Sequence, residues 1–351
     1  MATEILRFEM AAPDDTRELA TALRTLGARE IVRLALAIKT EGTATINDFG
    51  RSLALRAIAD CLAEAGVPPT VPAQTIVSTG SEGIIAPGGY LVAERKTGGI
   101  SGLAFGAAHS PPLKPEQMMS VPLQARIAGE VVKAALADAD AHAADIALVL
   151  MKTPLLTREE AAGLPPLQRE RAGSSALARG IAALGVAAAL GEIDAAALSE
   201  DALGRRPDLH SRRAMVFSGT ETRRCEAIVL ANVAGGPQPV RSGLIADLID
   251  IDGMARILAP EAAEPIAAAR ELARSGRIRA VFLKASIAPD GRVRGGRTTA
   301  FSSDLDPDKH MRATASGALG ALLGHGRFFV SGGAEHQAPP GGAVFAAVVA
   351  P

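Results

Sequence analysis

Three apolar runs, 31–38, 146–151 and 278–283, each end on a lysine: Lys39, Lys152 and Lys284. Continuous β-branched and aliphatic residues over this length predict buried strands. Three shorter runs, 75–77, 214–217 and 328–330, lead into serine, glycine, a small residue and glutamate. The motifs are Ser78-Thr79-Gly80-Ser81-Glu82, Ser218-Gly219-Thr220-Glu221 and Ser331-Gly332-Gly333-Ala334-Glu335. Between each lysine and its serine lies an alanine-rich, helix-like stretch with an arginine near its start: Arg51, Arg179 and Arg312. The order Lys, Arg, Ser occurs three times, and long-period self-similarity of this kind indicates a fold of repeated units.

Pattern and punctuation predict a βαβαββ order for each unit. The first (1–104) reads as strand 4–10, helix 17–26 closed by Gly27, strand 31–39, helix 51–65, and strands 75–78 and 84–92. Asn47 and Asp48 suit the cap of its second helix, and Gly66 and Pro68 stop it. The second (112–240) places helices at 123–140 and 175–190 and strands at 146–152, 214–218 and 226–232, with a strand at 100–106 ahead of them and a polar insertion at 191–210. The third (244–351) reads as strand 244–251, helix 261–274, strand 278–284, helix 309–323 and strands 328–331 and 343–349. Gly/Pro-rich segments 107–115 and 233–240 serve as linkers. The class is α+β, with helices on one face of each sheet.

Composition narrows the partners. With 37 basic and 38 acidic residues, no Trp and a single tyrosine, Tyr90, nothing points to nucleic acid or an anionic membrane. Cys61 and Cys225 form no metal-type spacing and read as buried apolar residues in a reducing compartment. The six histidines are scattered without metal-ligand spacing. The N-terminal stretch carries Glu4, Glu9, Asp14 and Asp15 rather than a basic region and apolar segment, and the alanine-rich run 172–190 is broken by Arg179 and glycines. The expectation is a cytoplasmic protein with no membrane span.

The repeated triplet has a chemical logic. A serine hydroxyl needs a base to attack a carbonyl. A lysine serves if it is neutral, which burial and nearby cations bring about. Three converging arginines would supply those cations, so Lys, Ser and Arg together suit acyl transfer. The glycine after each serine lets a carbonyl oxygen approach backbone N–H groups. The glutamates Glu82, Glu221 and Glu335 read as partners of nearby lysines or as turn caps.

Several blocks together carry a likeness: Asn47-Asp48-Phe49 with Arg51, residues 78–83, Lys152-Thr153-Pro154, 175–186, Val293-Arg294-Gly295 with Arg297, Met311-Arg312-Ala313, and 331–342. On these the chain resembles the ring-opening amidohydrolases of the cyanuric acid hydrolase and barbiturase type. The resemblance implies three pseudo-threefold-related units whose sheets form a central β-barrel with helices outside, and a homotetramer. It implies a small cyclic imide or ureide as substrate, cyanuric acid opened to carboxybiuret and then biuret, or barbiturate to ureidomalonate. It makes Lys152 the base and Ser218 the nucleophile. Lys39, Lys284, Arg51, Arg179, Arg312, Ser78, Thr79, Gly219, Ser331 and Gly332 surround the substrate, with the segment 308–312 helping to select the ring.

The chain departs from the family pattern in two places. Aligned on glycine-x-glutamate, the position matching Ser78 and Ser331 is Phe217, with Ser218 one residue later. Either Ser218 acts after a local shift, or the serine is missing and the chain is a non-catalytic binding paralogue. The chemistry requires no cofactor, but the family's C-terminal loop holds a structural Mg²⁺ or Ca²⁺ on main-chain oxygens, here those of Ala334, Gln337, Ala338, Pro339 and Gly342. The acidic residue expected to help is replaced by Ala285-Ser286, which weakens the site.

Overall fold

The computed structural model describes residues 2–45 and 48–351. The chain begins β1 (Ala2–Glu9), α1 (Arg17–Leu26), β2 (Ile31–Thr40), α2 (Gly50–Glu64), β3 (Ala73–Thr79), β4 (Gly88–Arg95). It continues β5 (Leu103–His109), α3 (Pro115–Met119), α4 (Val121–Asp138), β6 (Ile146–Pro154), α5 (Arg158–Ala161), α6 (Pro166–Gly173), α7 (Ser175–Ala189), β7 (Ala214–Gly219), β8 (Glu226–Asn232). It ends β9 (Val240–Ile245), α8 (Ile251–Leu258), α9 (Pro265–Arg274), β10 (Ile278–Ala285), β11 (Arg292–Val293), β12 (Gly296–Arg297), α10 (Pro307–Leu323), β13 (Phe329–Gly332), β14 (Ala343–Val349).

These strands make three four-stranded sheets, ordered β1-β4-β2-β3, β5-β8-β6-β7 and β9-β14-β10-β13, plus the β11-β12 hairpin. In each sheet the lysine strand runs parallel to the serine-motif strand. The closed β-barrel expected from the resemblance is not formed: each sheet is open at both edges. The sheets join through side chains, not a continuous ladder. Alternate residues of β2 (Ala35, Ala37), β6 (Leu148, Leu150) and β10 (Ala280, Phe282) enter one shared apolar cluster. The intervening Leu36, Val149 and Val281 pack beneath the helices of their own sheets, as the two-residue period of a strand requires.

Other departures have local causes. Because β5 pairs with β8, the second sheet begins at Leu103, ahead of the boundary at 112. The strand read as 244–251 stops at Ile245, because the Asp250 carboxylate accepts a hydrogen bond from the Gly253 N–H at 2.9 Å and starts α8. Asn47, expected to cap α2, lies outside the described residues, while Asp48 accepts from the Gly50 N–H at 2.9 Å. Helices α4 and α7 lie so close that a Cβ on Gly185 would come 2.0 Å from the Ala125 carbonyl. Among the described residues no helix is long and apolar enough to cross a membrane.

Candidate active site

Strand parity carries the lysines to one place. Lys39, Lys152 and Lys284 are the next inward positions after Ala37, Leu150 and Phe282, and each is no more than 2% exposed. Register supplies their partners: Lys39 lies opposite Ser78, Lys284 opposite Ser331, and Lys152 opposite Phe217. Lys39 Nζ donates to Ser78 Oγ at 3.2 Å and to the Thr79 carbonyl at 3.0 Å. Lys284 Nζ donates to Ser331 Oγ at 3.3 Å and to the Gly332 carbonyl. The two serine hydroxyls are 3.4 Å apart.

The pair expected to perform the chemistry is arranged differently. Lys152 Nζ donates to the Val77 carbonyl at 3.0 Å and forms an ion pair with Glu221. Ser218 lies opposite Thr153, one position out of register with Lys152, and its hydroxyl donates to the Ser175 carbonyl at 3.4 Å. No hydrogen bond joins Lys152 to Ser218 among the described residues. Phe217 takes the inward place, with its ring 5.4 Å from that of Phe329 and its face 4.8 Å from Lys284 Nζ.

A cavity of about 50 Å³ gathers the motif residues. Arg51, Arg179 and Arg312 line it together with Ser78, Thr79, Lys152, Phe217, Ser218, Lys284, Ser331 and Gly332. Ala44, Ser175 and Asp308 complete its wall. Each arginine is held by a glutamate from another sheet's motif. Arg51 pairs with Glu221 at 2.8 Å, Arg179 takes Glu335 through two bonds of 2.9 and 2.8 Å, and Arg312 pairs with Glu82. The glutamates therefore anchor arginines rather than local lysines, with Glu221 alone also reaching a lysine. Arg51 also donates to Thr79 Oγ1 at 3.1 Å. Gly219 ends β7, next to Ser218.

These contacts set the proton affinities. Burial pushes Lys39 far below the ordinary lysine value, and Arg312 and Lys284 push further. Burial does the same to Lys284, reinforced by Arg179 and Arg312. Lys152 is also lowered by burial, but Glu221 beside it favours the charged form. Burial raises Glu221, and Lys152 with Arg51 outweighs it, leaving the carboxyl below its usual range. The lysines facing serines are thus disposed to be neutral bases, whereas Lys152 sits in a buried ion pair.

The C-terminal loop lacks the carboxylate that the resemblance expects beside a divalent cation, residues 285–286 being alanine and serine. Ala334 and Pro339 carbonyls already accept from the N–H groups of Gln337 and Gly342. The Gln337 side-chain amide bonds to Val216, Gly333 and Glu335. The Ser286 hydroxyl accepts from the Ala334 N–H at 2.6 Å where a carboxylate ligand is needed. Among the described residues no group of three or more His, Cys, Asp or Glu side chains could hold a metal. The loop's own carboxylate, Glu335, is engaged by Arg179, so a hard cation there would rest on main-chain oxygens.

Comparison with known proteins follows this geometry. The sequence pattern of the family described as "Amidohydrolase ring-opening protein" matches residues 4–350. A cyanuric acid amidohydrolase of Methylobacterium sp. is 35% identical, over 98% of this chain and 96% of that protein. A cyclic amide hydrolase of Azorhizobium caulinodans is 34% identical, over 99% of this chain and 100% of its own. The crystal structure of a cyanuric acid hydrolase from A. caulinodans superposes with a TM-score of 0.86 at 33% identity, covering 99% of both chains. By match and likeness over nearly its whole length, the chain belongs to the ring-opening amidohydrolase family.

Proposed function

We propose that the cavity takes a small cyclic imide or ureide between Arg51, Arg179 and Arg312 and hydrolyses a ring C–N bond through a serine nucleophile and a lysine base. The observation that carries this reading is the meeting of three guanidinium groups and two Lys–Ser pairs around one small cavity. A ring of alternating C=O and N–H groups matches such donors with few polar groups left unpaired. The names of the relatives put cyanuric acid first, giving carboxybiuret and then biuret, with barbiturate to ureidomalonate as the alternative. We read the three sheets as pseudo-threefold-related units around this substrate and, from the resemblance, the working form as a homotetramer. No metal enters the reaction as we read it.

A second reading, a non-catalytic binding protein, is favoured by Phe217 standing opposite Lys152, where the resemblance puts the reacting pair of Lys152 and serine. Incubation of the purified protein with cyanuric acid, barbiturate and related cyclic imides, followed by mass spectrometry, separates the two. Ring-opened product from any of them supports hydrolysis. Ligand-induced thermal stabilisation without product supports binding alone. Neither signal from any compound would sink the assignment of the cavity to such rings.

A further inference from the structure

Resting on the reading of the cavity as a ring-opening site, we infer that the reacting pair in this chain is Lys284 with Ser331. The pair at Lys152 is disabled twice over. Register gives it a phenyl ring in place of a hydroxyl, and its ammonium is tied to Glu221. Ser218 lines the cavity too, but it is one position out of register with Lys152 and its hydroxyl is bonded to the Ser175 carbonyl instead.

Two intact pairs remain, and the cavity distinguishes them. Lys284 and Ser331 both line it, whereas in the other pair Ser78 lines it and Lys39 stands behind. The base must serve twice: it takes the serine proton, then returns one to the leaving ring nitrogen. Only an amine that faces the substrate can perform the second transfer. Burial, with Arg179 and Arg312, lowers the proton affinity of Lys284 and outweighs the opposing Glu335 and Asp308. Ser78, 3.4 Å from Ser331, is then a positioning hydroxyl with Lys39 behind it.

The step balances as follows. Ser331 Oγ attacks a ring carbonyl while its proton passes to Lys284 Nζ. The C–N bond breaks, and the ammonium protonates the departing nitrogen, leaving an ester on Ser331 and neutral Lys284. A water molecule gives its proton to Lys284 as it attacks the ester. Release of the carboxylic acid returns that proton to Ser331 Oγ.

The test uses the full chain with cyanuric acid and barbiturate as probes, turnover being read by mass spectrometry. Ser331→Ala and Lys284→Ala should each lower kcat by about 10³-fold or more while both proteins still bind and are stabilised by the probe. Added methylamine should restore part of the activity of Lys284→Ala but none of that of Ser331→Ala, a rescue that a merely structural lysine would not show. Turnover by Ser331→Ala within tenfold of the parent, or an acyl adduct mapped to Ser218 or Ser78, would overturn the inference and leave the ring-opening reading intact. Failure of both probes to bind the parent protein would instead overturn the reading on which it rests.

Discussion

Lys284 sits where a charge is least welcome, buried beside two arginines, and its consequence for stability follows from the direction of its shift. A lysine whose folded pKa lies below the unfolded value of about 10.5 penalises folding at every pH under the folded value, and the penalty fades as pH rises towards 10.5. Lys284→Met should therefore raise stability at pH 7 by about 1–3 kcal/mol while abolishing turnover. Urea unfolding at pH 7 and pH 10 checks this, the gain shrinking at the higher pH. A less stable variant at pH 7 would mean that Lys284 is held as a cation. At this scale the sequence was informative about the lysines, serines and arginines, because each occupies a repeated place. It was silent about the glutamates, whose arginine partners lie 156–230 residues away. The misplacement of Ser218 was legible: counting strand parity from Met215 inward puts Phe217, not Ser218, beside Lys152.

Among elements, the turn after β13 packs against Arg179, the guanidinium that α7 carries to the cavity wall. Gly333 has φ +73°, and a Cβ there would come 2.1 Å from Arg179 Nη2. Gly333→Ala should cost about 1–2 kcal/mol through backbone strain and should displace the guanidinium. We expect KM for the ring substrate to rise at least tenfold with a smaller change in kcat, as steady-state kinetics would show. Unchanged KM would remove Arg179 from substrate binding. The longer helices were legible from their runs and stops: Gly27 ends α1 with a left-handed φ of 72°. The short α5, α6 and α8 were not, since a helix of a few turns gives too little periodicity to separate from a loop or strand.

For the molecule as a whole, the shared cluster makes the sheets interdependent. Residues from all three sheets, among them Tyr90, Phe105, Leu148, Phe282 and Phe329, pack into it, and the arginine–glutamate pairs cross between sheets. A segment 240–351 produced alone would expose its inner face, with Ala280, Phe282, Phe329 and Val344 in water. It should bind hydrophobic dyes and lack a cooperative urea transition by circular dichroism; a sharp two-state transition would show that the sheet is self-sufficient. The three runs that end in lysine, each forming a strand paired with a serine-motif strand, were readable from the chain. The open form of the sheets was not, because strand pattern reports which face is buried but not whether edges join.

The phenyl ring of Phe217 also gives the cavity a grain. Ser78 and Ser331 bring hydroxyls to the wall where Phe217 brings hydrocarbon, so on the proposed reading a guest ring would have one favoured compass bearing. A ring with a methylene corner, as in barbiturate, can turn that corner to the phenyl and offer carbonyls to Ser78 and Ser331. Cyanuric acid, with its corners all alike, would press a polar corner against carbon, a mismatch of roughly 1–3 kcal/mol, so the cavity's own chemistry ranks barbiturate above the substrate that the relatives' names put first. On that reading one residue of β7 lets the cavity tell the edges of its guest apart.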